Sequence, residues 1–288
     1  MELSAQRAPI PRLRPWIEFL WASSRQASSG GLLVAERERM IPSGCMHVVF
    51  RFSDQPIRIF KSIEDRQGDT FYRGAVAGMR SAYYVKDIAL SACTVGASLR
   101  PGACEALFGM PADEVSGRHV ALEDLCGSEA RCLAERLQEM SDLNRRLEVL
   151  ELFLARRLHG VFSIHPAIAH ALSRFSTTSH IGKIVEETGY SHRRFIQLFR
   201  QSVGISPRIY TRLLRFQRTL RYGFDQTRGR WIDVALEAGY ADQSHFNREF
   251  RELTGISPSE YVLNRSEDSH HVPIRGQFRS IQDKVKKA

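Results

Sequence analysis

Between Ile181 and Tyr261 the apolar residues recur three and four apart, stop at a glycine and start again, and the chain does this twice. Ile181, Ile184 and Val185 share one helical face, as do Trp231, Val234 and Ala235. Gly189 and Gly239 follow, where a residue without a Cβ can take the left-handed conformation that ends a helix. Ser191, and either Ala241 or Asp242, stand where the next helix needs an N-cap. In that next helix Phe195 and Phe199, or Phe246 and Phe250, lie four apart and face inward, joined by Leu198 or Leu253. Each unit closes on Gly-Ile-Ser-Pro, at 204–207 and 255–258, with Tyr210 or Tyr261 just beyond. Pro207 suits the first turn of a further helix running to about Tyr222, with Leu213, Leu214, Phe216, Gln217 and Leu220 as its apolar rows. The pattern predicts an all-α domain over residues 161–265, made of two helix-turn-helix units joined by a linker helix.

The first 160 residues keep a different period. Short β-type runs, His47–Phe52 and Ile57–Phe60, are separated by turn chemistry at 42–44, 53–56 and 67–69, which predicts a β-rich barrel or sandwich. From Ser128 to His159 the pattern is helical, and Leu143, Leu147, Leu150, Leu154 and Leu158 form a seam. That seam spans barely two heptads, so packing against the β-rich half is favoured over a dimer contact. Residues 160–166 read as a short linker and 266–288 as a polar, flexible tail. The expected class is therefore α+β. Residues 1–160 form one domain in this reading; dimerisation would use the leucine seam, and an effector-sensing role is implied only by resemblance to a known family.

Charge changes the picture for the C-terminal half only. Residues 1–160 hold 21 Lys and Arg against 20 Asp and Glu, whereas 165–265 hold 15 against 9. Between Glu187 and Asp225 stand eight arginines and no carboxylate, a one-signed stripe suited to a phosphate backbone. An acidic protein or an anionic membrane surface could use the same stripe. The first twenty residues carry Glu2, Arg7, Arg12, Arg14 and Glu18 with no apolar run, so no signal peptide is expected. The longest uncharged stretch, Ile88 to Leu99, is too short for a span, and a soluble cytoplasmic protein with no membrane partner is expected. Five cysteines, Cys45, Cys93, Cys104, Cys126 and Cys132, include no CxxC pair and read as reduced thiols. No metal site, cofactor or catalytic residue is expected; His47 has no partner histidine in a His-x-His pattern, and His270-His271 has no assigned role. Tyr83 and Tyr84 are candidate pocket aromatics, and no effector-binding residue is otherwise assigned.

The residues that remain outward on the two second helices carry the candidate chemistry. Arg193, Ile196, Gln197 and Arg200 fall on one stripe, and Gln243, Ser244, Asn247 and Arg248 on another, continued by Arg251. Arginine can pair with guanine, glutamine or asparagine with adenine, and isoleucine can meet a thymine methyl. Sixteen residues of linker helix give roughly 24 Å at about 1.5 Å per residue, which with each unit's offset suits two major grooves about 34 Å apart on one DNA face.

Residues 165–265 resemble the DNA-binding domain of AraC/XylS-type transcriptional regulators. The stretch V-A-L-E-A-G-Y-A-D-Q-S-H-F-N-R-E-F-R-E-L-T-G-I-S-P-S-E-Y follows that family's signature, while Val185 departs from it where a small alanine is usual. The resemblance implies base contacts by Arg193, Ile196, Gln197, Gln243, Ser244, Asn247 and Arg248. Arg194, Arg200, Arg212 and Arg251 are expected on phosphates. It also implies activation of transcription, promoter DNA and RNA polymerase as partners, a small-molecule effector in a β-barrel, and a possible homodimer. The segment Leu99–Pro111 is similar to an N-terminal segment of some such regulators. Two other readings stand beside this one: a DNA-alkylation repair protein with the same DNA-binding module, and an architectural DNA binder.

Overall fold

A computed structural model describes residues 2–25, 37–53, 55–88, 92–158, 163–175, 180–225, 231–266 and 268–274. The N-terminal half is two sheets and a helical cover. One sheet runs β1 (Glu2–Arg7), β2 (Ile17–Arg25), β9 (Ala92–Leu99), β4 (Met46–Phe52), β7 (Gly74–Ala77), β10 (His119–Ala121), with antiparallel neighbours throughout. The other contains β3 (Arg37–Met40), β8 (Tyr84–Asp87), β5 (Ile57–Phe60) and β6 (Asp69–Phe71). Both strands expected from the period-two runs are present as β4 and β5.

Alternation decides which face of the first sheet becomes core. In β4, Met46, Val48 and Phe50 are buried, opposite Leu99, Ala97 and Val95 of β9. That face is covered by α4 (Leu143–Arg157), whose Leu147, Leu150 and Leu154 are 0% exposed. The leucine seam thus packs on the β-rich half. At roughly 1.5–3 kcal/mol per buried leucine, this contact stabilises the half far more than an exposed seam could. The region from Ser128 that is helical in pattern is two helices, α3 (Ser128–Glu139) and α4, and Asp142 caps α4 by accepting from the Arg145 amide at 2.7 Å. Two shorter helices, α1 (Ala103–Phe108) and α2 (Leu122–Cys126), complete this half.

The C-terminal domain is helical from α5 (Pro166–Arg174), a helix the sequence reading passed over, to α11 (Pro258–Asn264). Between them lie α6 (Ile181–Thr188), α7 (His192–Val203), α8 (Pro207–Asp225), α9 (Trp231–Glu237) and α10 (Gln243–Thr254). Of the linker 160–166, residues 160–162 lie outside the described residues, 163–165 have no regular structure and Pro166 begins α5.

The tail departs from expectation. Residues 271–274 form β11 (His271–Ile274), which pairs antiparallel with β3 and extends the second sheet of the N-terminal half. The supposedly idle histidines take part: His271 contacts the Glu38 carboxylate at 3.1 Å, and His270 meets the Gln217 side chain at 3.0 Å. A polar composition does not keep a segment loose when an unpaired strand edge is available to bond its backbone. Residues 275–288 lie outside the described residues.

Candidate nucleic-acid interface

Each helix-turn-helix unit is built by the same local devices. Gly189 (φ 72°) ends α6, and Ser191 caps α7, accepting from the Arg194 amide. Tyr240 follows the second turn glycine, Gly239 (φ 85°), and Asp242, not Ala241, caps α10 by accepting from the His245 amide at 2.7 Å. Val185 is 1% exposed and sits in the core, so the larger side chain is accommodated where alanine is usual.

The aromatic backs of the two helices are matched. Phe195, Phe199, Phe246 and Phe250 are all 0% exposed. Tyr210 packs edge-on against Phe199 at 5.5 Å between centroids, and Tyr261 against Phe250 at 5.4 Å. The repeated Gly-Ile-Ser-Pro turn therefore returns the chain so that its tyrosine closes the phenylalanine stack of its own unit. The glycine of each turn also meets the N-terminal half. A Cβ at Gly204 would lie 3.2 Å from the Ala112 carbonyl, and one at Gly255 would enter the Tyr83 ring.

With the phenylalanines inward, the polar stripes are left outside. Arg193, Arg194, Gln197 and Arg200 are exposed on α7. Ile196 among them is 38% exposed, although a buried face lies one residue away at Phe195. On α10, Gln243, Ser244, Asn247, Arg248 and Arg251 are exposed and line one open concavity of about 680 Å³, bounded by Ser257 and Pro258. Arg194 donates to the Gln197 side chain at 3.0 Å, which holds both outward.

The arginine-rich stripe is less one-signed in space than in sequence. Glu249 of α10, 6% exposed, is met by Arg212 at 3.0 Å and Arg215 at 2.7 Å, and accepts from the Tyr240 hydroxyl at 2.7 Å. Arg212 also pairs with Glu252, and Arg215 lies 4.3 Å over the Tyr240 ring. The Arg212 guanidinium is thus held by two carboxylates, a pairing that competes with its expected contact to phosphate. Arg208 and Arg221 remain exposed. Sequence reading missed Glu249. The available signal was a carboxylate among Phe246, Phe250 and Leu253, on the buried face of its helix.

Alkyl transfer needs a thiolate, and three of the five thiols are held away from that state. Burial pushes the thiols of Cys45 and Cys126 up to about 11 and that of Cys104 up to about 12, with neighbouring carboxylates adding to the effect at Cys104. Among the described residues no group of three or more metal-ligating side chains is assembled, and no helix is long and apolar enough to cross a membrane.

Comparison with known proteins gives two separate family matches along the chain. Residues 184–264 match the family described as "Helix-turn-helix domain", and residues 5–121 match a "Domain of unknown function (DUF6597)". An "Uncharacterized HTH-type transcriptional regulator" of Haemophilus influenzae is 29% identical over 98 residues, covering 34% of this chain and 33% of that one. The arabinose operon regulatory protein of Escherichia coli (strain K12) is 26% identical over 139 residues, covering 45% and 47% respectively. The chain thus spans about half or less of the length of these relatives. The solved structure of ToxT from Vibrio cholerae is 10% identical with a TM-score of 0.44, covering 91% of this chain and 97% of that one.

Proposed function

We propose, for a chain whose C-terminal domain belongs to the AraC/XylS family of helix-turn-helix regulators, a sequence-specific DNA-binding regulator of transcription. In this reading α7 and α10 enter successive major grooves of promoter DNA. Arg193, Ile196, Gln197, Gln243, Ser244, Asn247 and Arg248 meet base edges, while Arg194, Arg200 and Arg251 bind phosphates. Arg212 orients α10 through Glu249 and Glu252. The observation that carries the reading is the pairing of two helices in one domain, each with fully buried phenylalanines behind and an exposed hydrogen-bonding stripe in front.

The family resemblance adds activation, contact with RNA polymerase, a cytoplasmic setting, a small-molecule effector and a second copy of the chain as further parts of the proposal. Selection of genomic fragments by the full chain, followed by footprinting, tests it. A shared motif is expected, protected over two grooves about one helical turn apart. Fragments retained without any common motif would favour an architectural binder instead.

A further inference from the structure

The helical half is attached to the N-terminal half at both of its ends. One attachment is the chain that runs from α4 into α5. The other is β11, which follows α11 and pairs with β3 from His271 opposite Met40 to Ile274 opposite Arg37. The Ile41 amide donates to the His270 carbonyl at 2.9 Å, so bonded pairs alternate from there and Val272 meets Arg39 in the next one. Pro273 then turns its missing donor to the outer edge, where the last strand of a sheet tolerates proline.

Side chains hold the strand as well as its backbone. Val272 is 0% exposed and shares one buried core with Ile256 and Tyr261. His271 meets the Glu38 carboxylate at 3.1 Å, and Lys86 holds the same carboxylate at 3.1 Å. His270 bonds to the Gln217 side chain at 3.0 Å, and Gln217 in turn donates to the Pro42 carbonyl. Tail, linker helix and N-terminal half therefore meet at one glutamine.

The tail also reaches the second recognition helix. The Tyr261 hydroxyl donates at 2.7 Å to the carbonyl of Ser269, two residues before β11. The same ring is 0% exposed and packs on Phe250, which packs on Phe246 at 5.5 Å along the back of α10. The first unit is anchored elsewhere: the Gly102 amide donates to the Ser202 carbonyl at 2.8 Å, and Gly204 abuts Ala112.

We infer that residues 268–274 are a strap that positions α10. Strand β3 holds the strap, the Ser269 carbonyl holds the Tyr261 hydroxyl, and Tyr261 sets the phenylalanine stack behind the helix. With the strap paired, Gln243, Ser244, Asn247, Arg248 and Arg251 stay exposed, so the strap orders this helix without covering it. A buried hydroxyl that loses its acceptor is costly, so release of the strap loosens the second unit and leaves the first on its own anchor.

Hydrogen exchange on the full chain, read by mass spectrometry, tests the strap without DNA. Val272→Asp puts a charge into the shared core, and exchange at Ile41 and along α10 rises at least about tenfold while α7 is unchanged. Tyr261→Phe keeps the ring and the strand, so Ile41 stays protected and α10 alone exchanges about threefold faster or more. Unchanged exchange at Ile41 in Val272→Asp overturns the strap. Equal acceleration of α7 and α10 in either variant, or an unchanged α10 in Tyr261→Phe, overturns the positioning of α10. Met40→Cys with His271→Cys needs no destabilised chain, because the two face each other in a non-bonded pair that suits a disulfide. Mild oxidation joins them in a single chain, and the absence of that cross-linked peptide overturns the pairing. The effect on DNA rests on the regulator reading: on fragments selected by the wild-type chain, Tyr261→Phe weakens protection of one groove and spares the other. Equal weakening of both grooves overturns the positioning of α10. A wild-type chain that retains no fragment overturns the regulator reading alone, and exchange still decides the strap.

Discussion

Replacing Glu249 with alanine removes the acceptor on which Arg212, Arg215 and Tyr240 converge, and with it the ionic clamp between α8 and α10. The Glu249 side chain is 7% exposed and those of the two arginines are 29% and 27% exposed, so the carboxylate is buried while water reaches its partners. An exposed pair would contribute about 0–1 kcal/mol. Removing one member of a buried pair costs about 3–5 kcal/mol, and partial wetting of the arginines places this site at the lower end, about 3 kcal/mol. For a domain of about 100 residues each kcal/mol moves the midpoint by about 4–8 °C, so the C-terminal transition falls by more than about 10 °C. Glu249→Gln keeps an acceptor for Tyr240 and loses only the charge, so it falls between wild type and alanine. Urea denaturation of the full chain, followed by circular dichroism of the helical signal, measures the difference. A Glu249→Ala protein within about 1 kcal/mol of wild type would refute the buried-clamp reasoning and return Glu249 to the class of surface carboxylates.

Arg248→Ala weakens binding by about 1–3 kcal/mol and relaxes preference at one base pair, as read by gel shift on a panel of single-base operator variants. Equal loss on specific and random DNA would contradict a base contact. Arg251→Ala lowers the salt slope of binding by about one unit, whereas Arg212→Ala leaves the slope intact and lowers stability, since its guanidinium is already paired. A slope that changes in Arg212→Ala would show that the residue leaves its carboxylates for phosphate. The pH dependence has a definite sign. Unfolded, His47 and His119 take up protons as pH falls through 6.5, and folded they resist to about 4 and about 3, so folding weakens across that window. Glu38, held down to about 2 against an ordinary 4.5, adds a loss of the same sign below pH 4.5. His47→Gln flattens the upper part of the profile; a wild-type stability that is level from 6.5 to 4 would oppose this.

Legibility in the sequence followed the range over which each force acts. The helix-turn-helix units were readable because their devices lie within one or two helical turns: Gly189 and Gly239 as stops, Ser191 and Asp242 as caps, paired phenylalanines as the buried face. The break at Asp142 was not legible because the helical pattern holds on both sides of it, in α3 and in α4, and periodicity alone does not register a cap.

The amino-acid order by itself determined the second helix of each helix-turn-helix unit, the repeated turn that closes it, and which side chains it leaves in water, because caps, left-handed glycines and helical period are local physics. Tertiary structure decided the charge balance and the coupling of the halves. Glu249 neutralises arginines 34 and 37 positions away, and His271 reaches Glu38 across 233 residues by adding a strand to a sheet begun near the N-terminus. Electrostatic pairing and strand addition depend on distance in space, and only the folded chain sets that distance.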